Sequence, residues 1–80
     1  MPTYNILIRS SEQARKLSVI AEKYPFAIWI HGQSGQADAK SLLGLMLLTI
    51  ENDVRLVIED DVDTGTFEEE IEEFRVYPEE

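Results

Sequence analysis

The sequence offers few side chains whose chemistry could define a function. It has no cysteine, which excludes a disulfide framework, thiolate chemistry and cysteine-based zinc sites. Its single histidine, His31, ends an apolar run, where an imidazole could carry phosphate or bind a metal ion. A lone histidine at the end of a strand is also typical of a structural or merely exposed residue. Because no nucleophile–base pair accompanies it, we predict no catalytic site.

Two further patterns suggest ligand chemistry but lack the residues that this chemistry requires. The acidic run from Glu59 to Asp63 offers carboxylates for calcium, yet it has neither the glycine nor the distal glutamate of an EF-hand loop. Gly32 and Gly35 lack the lysine and the following helix of a phosphate-binding loop. We therefore interpret the acidic run as a solvated loop and predict no metal ion and no cofactor.

Ser41 is the strongest candidate for regulated chemistry. It precedes the apolar run that begins at Leu42, and this spacing predicts a helix with Ser41 at its N-terminus. Free backbone N–H groups and the helix dipole at such a position favour an added phosphate. The alternative is that Ser41 is only an N-cap, as serine is in many helices.

The charge of the chain is strongly negative and unevenly distributed. The net charge is −9, most of the basic residues lie in the first half, and the acidic residues cluster after Glu59. Such a surface repels a phosphate backbone, so we predict no nucleic-acid binding. The glutamate-rich end is typical of a solvated helix face and tail.

Length and composition predict one small domain, 1–80, with any function on its surface. With 80 residues, 44% of them apolar, the chain can form a core, but one too small to enclose an active site. The start lacks a charged segment followed by an apolar one, and no apolar run approaches the ~20 residues of a membrane span. We therefore predict no signal peptide, no membrane association and a cytoplasmic location.

Hydrophobic periodicity predicts the element order β-α-β-β-α-β-α. The predicted strands cover 4–9, 26–30, 36–39 and 54–59, and the predicted helices cover 11–23, about 42–50, and 66 to about 77. Ser10 with Gln13 and Thr66 with Glu69 have the spacing of capping boxes. One polar face on each element predicts an α+β fold of the open-faced β-sandwich type, with three helices on one side of a four-stranded antiparallel sheet.

The second predicted helix has more apolar residues than it can bury. Six of the seven residues from 42 to 48 are apolar. We predict that Leu45 and Leu48 face the core and that Leu42, Leu43 and Met46 are at least partly exposed. An exposed apolar patch usually marks a partner site.

One segment of the chain, 39–46 (AKSLLGLM), resembles the A-K-S-[IL]-[ML]-G-[LV]-M segment of the HPr family. These are the histidine-containing phosphocarriers of the bacterial sugar phosphotransferase system. The Lys-Ser pair, the glycine and the methionine fall in register, and the predicted element order is also that of the family. The resemblance covers nearly the whole chain, at low identity outside this segment, and implies the HPr-like fold.

The resemblance also identifies a departure from the family. HPr proteins carry phosphate on a histidine in a G-[IL]-H-A-R-P-A motif at the start of the first helix. Here Gln13 stands in the place of the histidine and Lys16 in that of the proline, while the Ala14-Arg15 pair remains. A neighbouring register would place Ser10 there, and no register supplies a histidine. A glutamine amide is neither a nucleophile nor a leaving group, and glutamine at this position is similar to Crh, a regulatory branch of the family.

The family's regulatory sites carry over to matching residues of this chain. The resemblance implies phosphorylation of Ser41 by a dedicated kinase, with basic residues of the first helix nearby. It implies that partners dock on a set of basic and apolar residues, namely Arg15, Lys16, Lys40, Leu42, Leu43 and Met46. These partners would be an HPr kinase-like enzyme, a transcription regulator or a phosphotransferase component.

We therefore predict an HPr-like regulatory protein-binding module that is not an enzyme and is not competent for histidine phosphotransfer. Two alternatives stay open at this point. The chain could be a diverged interaction module in which neither phosphorylation site is used, or a phosphocarrier with an unconventional acceptor.

Overall fold

The computed structural model describes residues 1–33, 35–49 and 53–77. It is an α+β fold in which a four-stranded antiparallel sheet, with the strand order β1-β4-β2-β3, is covered by helices on one face. This confirms the predicted fold class and element order. The elements are β1 (Thr3–Ile6), α1 (Ser11–Glu22), β2 (Ile28–Gly32), β3 (Gly35–Asp38), α2 (Leu42–Leu47), β4 (Val54–Ile58), α3 (Gly65–Glu70) and a short 3₁₀ helix (Glu72–Phe74).

The two faces of the sheet follow from alternation along the strands. On β4, Val54, Leu56 and Ile58 are buried against the helices, and this side is called the inner face. Arg55 and Val57 point to the opposite side, the outer face. The core between sheet and helices includes side chains with under 2% exposure from every layer, among them Ile6, Leu17, Ile28, Leu45, Phe67 and Phe74.

The first helix begins with Ser10 as its N-cap, as predicted, but one bond differs from a capping box, because Gln13 accepts from the N–H of Arg9 rather than from that of Ser10. The Oγ atom of Ser10 accepts a hydrogen bond from the Gln13 N–H at 3.1 Å. The Gln13 side chain reaches back, and its Oε1 atom accepts a hydrogen bond from the Arg9 N–H at 2.7 Å. Two free N–H groups at the helix entrance are thereby satisfied, so the Gln13 side chain has a structural partner.

The predicted capping box of the third helix is wrong. The helix begins at Gly65, one residue before Thr66, and its N-cap is Thr64, which makes no side-chain capping bond. Instead, Asp63 Oδ1 accepts a hydrogen bond from the Gly65 N–H at 3.0 Å. The helix ends at Glu70 rather than continuing to about 77, yet its apolar spacing persists, since Phe67 on the helix, Ile71 directly after it and Phe74 in the 3₁₀ helix are all fully buried.

The chain after Phe74 does not continue as a helix but pairs with the first strand. Arg75 forms an antiparallel bridge with Ile6. The Leu7 N–H donates to the Phe74 carbonyl, and the Val76 N–H donates to the Asn5 carbonyl, both at 2.9 Å. This segment, 74–76, is called the C-terminal strap, and it covers the outer edge of β1.

The strap is fixed by an aromatic sandwich as well as by backbone hydrogen bonds. The Arg75 guanidinium lies 5.0 Å from the centroid of the Tyr4 ring and 4.7 Å from that of the Tyr77 ring. An arginine at such distances is attracted by the negative faces of both rings. Tyr77, which we had predicted at the end of the third helix, instead helps to hold the strap.

The acidic face of the third helix is only partly a solvated surface, which corrects the sequence-based interpretation. The Tyr4 hydroxyl donates a 2.6 Å hydrogen bond to Glu68 Oε2. The Tyr24 hydroxyl and the Lys23 ammonium both donate to Glu70. These carboxylates tie α3 to β1 and to the end of α1, while Glu69 remains exposed.

These contacts shift the pKa values of both partners. Hydrogen bonds from Lys23 and Tyr24 hold the pKa of Glu70 below its usual 4.5, and hydrogen bonds from Tyr4 and Thr64 lower the pKa of Glu68. Burial, followed by the hydrogen bond to Glu70, raises the pKa of Tyr24 from 10.0 to about 12.

We expect the free energy of unfolding to decrease at both ends of the pH scale for this reason. A lowered carboxyl pKa stabilises the fold above 4.5, and this stabilisation is lost as the pH falls through the lower folded-state value. The raised pKa of Tyr24 stabilises the fold fully below pH 10, and this stabilisation is lost as the pH rises from 10 to about 12. Urea unfolding of Glu70→Gln should show a weaker dependence on pH at both ends.

The matched control is Glu22→Gln. Glu22 is an exposed glutamate of α1 that pairs with no described residue. An unchanged pH dependence in Glu70→Gln, or an equal change in Glu22→Gln, would contradict this account.

Several predicted boundaries differ from the observed ones. The first strand ends at Ile6 rather than Arg9, and β2 begins at Ile28 rather than Phe26, although Ile8 and Phe26 are both buried. The second helix ends at Leu47. Parts of three predicted features lie outside the described residues: Ser34 in the hairpin turn, 50–52 at the end of α2 and in the turn after it, and Pro78. Among the described ranges, no helix is long and apolar enough to cross a bilayer.

Candidate functional site

The second helix lies unusually close to the edge strand of the sheet because it contains Gly44. A Cβ atom on Gly44 would lie 2.8 Å from the Cβ of Ala37 on β3, closer than side-chain carbons approach one another. Glycine normally weakens a helix by about 1 kcal/mol relative to alanine. Here the glycine allows α2 to pack closely against β3, and Leu45, the next residue, is fully buried in the core.

Ser41 is the N-cap of this helix, as predicted. Its backbone N–H donates to the Asp38 carbonyl at 2.9 Å, and its Oγ atom accepts from the Gly44 N–H at 3.3 Å. The residue is exposed. Both features meet the physical requirements for a modifiable serine, namely an accessible hydroxyl beside free helical N–H groups.

The apolar side chains of α2 divide between core and surface as predicted. Leu45 and Leu48 are 0% and 5% exposed, whereas Leu43 and Met46 are 72% and 42% exposed. Leu42 is partly buried against the core.

Sequence reasoning missed Leu47, which is 69% exposed. It lies one turn after Leu43, and that i, i+4 spacing was the signal that could have identified it. Leu43, Met46 and Leu47 form one exposed stripe, called here the α2 patch. Exposed apolar side chains grouped in this way are typical of a surface that contacts another molecule.

The structure places the predicted basic residues in different surroundings. The Lys40 ammonium donates a 2.8 Å hydrogen bond to the Tyr24 carbonyl, so Lys40 fastens the loop before β2. Lys16 Nζ pairs with Glu73 Oε2 at 2.8 Å. Arg15 is exposed and forms no ion pair with a described residue. No hydrogen bond or ion pair within the described residues joins Arg15 or Lys16 to Ser41, although α1 and α2 pack together.

The entrance of α1, where the resemblance places the family's phosphate acceptor, is a shallow cleft. Its walls are formed by Ser10, Glu12, Gln13, Lys16 and Glu73. The Lys16–Glu73 ion pair spans it, and the Gln13 amide oxygen is bonded to the Arg9 N–H. No imidazole contributes to this cleft.

His31 lies elsewhere in the fold. It follows Trp29 on the outer face of β2 and is opposite Arg55 on β4. The sheet therefore separates His31 from the helices. A histidine at this position cannot act at the entrance of α1.

The acidic loop after β4 shows no metal-binding arrangement. Asp60, Asp61 and Asp63 are exposed, and Asp61 has a φ of 65°, a left-handed conformation that aspartate adopts more readily than most residues. Within 1–33, 35–49 and 53–77, no three histidine, aspartate or glutamate side chains converge as a metal site would require.

Comparisons with known proteins agree with this architecture. The family model described as the PTS HPr component phosphorylation site matches residues 11–74. The sequence has no match among curated proteins.

Two solved structures are similar to the fold. HPr-C-His from Thermoanaerobacter tengcongensis superimposes with a TM-score of 0.74 at 23% identity, covering 92% of this chain and 91% of that one. The histidine-containing phosphocarrier protein of a mycoplasma superimposes with a TM-score of 0.71 at 19% identity, covering 90% and 89%. At these identities the similarity establishes the fold.

Proposed function

The chain belongs to the HPr family of the phosphotransferase system, and from this membership we propose that it is a regulatory, protein-binding member of that system. It does not carry phosphate on histidine. It acts in the cytoplasm of a bacterium, in the manner of Crh, and its activity is controlled by phosphorylation at Ser41. Its partners are an HPr kinase-like enzyme, a transcription regulator or a phosphotransferase component.

The chemistry of the α1 entrance supports the negative half of this proposal. A transferable phosphoramidate needs an imidazole that is both nucleophile and leaving group. Gln13 supplies an amide, and its oxygen already accepts a backbone hydrogen bond. The only histidine of the chain is on the other side of the sheet. HPr-family phosphocarriers are carrier proteins rather than catalysts, which is consistent with a protein that is not an enzyme.

The observation that carries the positive half is the position of Ser41 on the same short helix as the α2 patch. An exposed hydroxyl begins this helix, Leu43 lies exposed about half a turn later, and Met46 and Leu47 lie exposed about one and a half turns later. A phosphate on Ser41 would place a dianion at the border of an apolar surface. A partner that has an arginine or lysine beside an apolar pocket would gain charge-assisted hydrogen bonds only with the modified form.

We expect Ser41 to accept phosphate from ATP in the presence of a bacterial HPr kinase. A surface phosphate at a helix N-terminus is stabilised by only roughly 0.3–1 kcal/mol. Phosphorylation should therefore change partner binding and leave the fold as it is. Mass spectrometry should find one phosphate on the wild type and none on Ser41→Ala.

The structure provides a matched control in Ser10, a second exposed serine that caps a helix through the same type of hydrogen bond. Ser10→Ala should be labelled like the wild type. Circular dichroism should confirm that both variants fold, because loss of a cap costs about 1 kcal/mol. Equal labelling of wild type and Ser41→Ala would refute the assignment.

The competing proposal is a diverged interaction module that uses neither phosphorylation site. It is favoured by the low identity to the solved HPr structures. If the kinase labels a Gram-positive HPr in the same experiment but leaves the wild-type chain unlabelled, the result would support this competing proposal.

A further inference from the structure

The outer face of the sheet has an apolar centre that the fold leaves uncovered. Trp29 on β2 and Val57 on β4 are direct cross-strand neighbours, and β4 and β2 are the two central strands of the sheet. Trp29 is 40% exposed, and Val57 is half-buried. An exposed tryptophan in the middle of an open sheet is costly to leave in water, so this pair suggests a contact surface.

Opposite charges flank this centre along β4. Arg55 precedes Val57 by two residues on the strand, so both side chains project from the outer face. Glu59 follows directly after the strand and lines a shallow cavity with Trp29 and Asp38 on the same side of the sheet. Arg55 is exposed and forms no ion pair with a described residue. Glu59 uses one carboxylate oxygen to accept the Ala27 N–H at 2.7 Å, which leaves the other oxygen for a second partner.

We propose that this outer face binds a second copy of the same chain. A two-fold axis that crosses the strands at the level of Trp29 and Val57 would set each of these residues against its own counterpart. The same axis would set Arg55 of each copy against Glu59 of the other, forming two equivalent ion pairs. Packed sheets of the aligned type are rotated by about 30° relative to each other, and an arginine side chain is long enough to reach the opposite glutamate despite this rotation.

The order of the charges selects a second copy over a different partner. A uniformly basic partner would face Arg55 with a like charge, and a uniformly acidic one would face Glu59 with a like charge. A second copy turned about this axis presents the same groups in the reverse order, so that its negative group faces Arg55, its apolar centre faces Val57 and its positive group faces Glu59. The helices and the α2 patch lie on the other side of the sheet, so this contact would leave them free and does not depend on the proposed function.

The size of the face predicts a weak and reversible dimer. Four strands about 4.8 Å apart and about 17 Å long give a footprint of roughly 300 Å² per copy. A stable complex buries about 800 Å² per partner. Asp38, opposite Trp29 on the edge strand, would also approach its counterpart at the rim. We therefore expect a dissociation constant of about 0.1–1 mM at physiological salt.

The test measures the whole chain by sedimentation velocity and by NMR in a dilution series that starts at about 1 mM. The small interface requires this high starting concentration. Sedimentation should show a monomer–dimer equilibrium. Amide signals of β2 and β4 should shift with concentration, together with the indole N–H signal of Trp29, which is the only tryptophan in the chain. Signals of α1 and α2 should not shift.

Charge-reversal variants test the ion pairs directly. Arg55→Glu and Glu59→Arg should each weaken association by about tenfold or more, because each sets two pairs of like charges face to face. An equimolar mixture of the two variants should restore wild-type association, since both pairs in the mixed dimer join glutamate to arginine. Restoration on mixing cannot arise from a folding defect within either variant.

Net charge provides the discriminating control. Glu59→Arg changes the net charge from −9 to −7, so general repulsion alone would make this variant associate more strongly than the wild type. Glu22→Arg on α1 makes the same change away from the face and should not weaken association. A chain that is monomeric at about 1 mM, shifts confined to the helices, or no restoration on mixing would each overturn the proposal.

Discussion

The protein is expected to take up no acid-labile phosphate from phosphoenolpyruvate when it is incubated with the first enzyme of the phosphotransferase system. The reason is the chemistry of the α1 entrance. The glutamine there cannot attack a phosphoryl group and leave again, and its side chain is bonded to the Arg9 N–H. The one imidazole of the chain lies on the outer face of β2. The expected difference from a histidine-containing HPr is complete loss of transfer.

The measurement is acid-labile labelling with radioactive phosphoenolpyruvate, with a histidine-containing HPr protein as the positive control in the same reaction mixture. Gln13→His alone should not restore transfer, because the Lys16–Glu73 ion pair still spans the cleft. Acid-labile label on any residue of the wild type would show that the protein is a phosphocarrier, and the proposed function would then be wrong.

Two leucines of α2 are expected to respond to truncation in opposite ways. Leu45 is fully buried and Leu43 is 72% exposed, although they lie two residues apart on one helix. Leu45→Ala should lower the free energy of unfolding by about 2–5 kcal/mol, as core leucines do. Leu43→Ala should change it by less than about 0.5 kcal/mol. For binding to HPr kinase, measured on folded protein, Leu43→Ala should have the large effect.

Urea unfolding and kinase binding must be measured on both variants, with Met46→Ala as a second surface truncation. Val19→Ala is the matched control, since Val19 is an exposed apolar residue (55% exposed) on α1 and lies outside the α2 patch. A loss of several kcal/mol in Leu43→Ala would identify Leu43 as a core residue. Equal binding by wild type, Leu43→Ala and Met46→Ala would exclude the α2 patch as the docking surface.

The sequence predicted those parts of the fold that depend on local patterns. Alternation along β4 predicted which of its residues face the core, and the spacing of Ser10 and Gln13 predicted where α1 begins. Each of these patterns involves residues that are only a few positions apart in the sequence. The division of α2 into buried and exposed leucines was also predictable, since a six-residue helix against a sheet can bury only one side.

The features that the sequence could not predict are contacts between distant segments. Tyr4 and Glu68 are separated by 64 residues, and Tyr24 and Glu70 by 46, so no local pattern relates them. The glutamates therefore looked like a solvated run. Lys40 is a similar case, because its bond to the Tyr24 carbonyl depends on how the loop before β2 folds back.

At the candidate site, residue types were predictable but their partners were not. Ser41 was identified as a cap from the sequence alone, and the structure confirms it. Lys16 was expected near Ser41 and instead pairs with Glu73, a contact that depends on how the 3₁₀ helix packs against α1. The roles of these residues in partner binding stay predictions until binding is measured.

The C-terminal strap has a consequence for the behaviour of the protein in concentrated solution. An open sheet has two edges, and each unpaired edge is a template on which another chain can add a strand and begin to aggregate. Here Arg75 and its neighbours close the β1 edge, and the remaining edge is the four-residue β3, which α2 approaches closely through Gly44. The C-terminal strap thus protects the β1 edge against self-templated polymerisation, and any tag or truncation that displaced it would remove that protection.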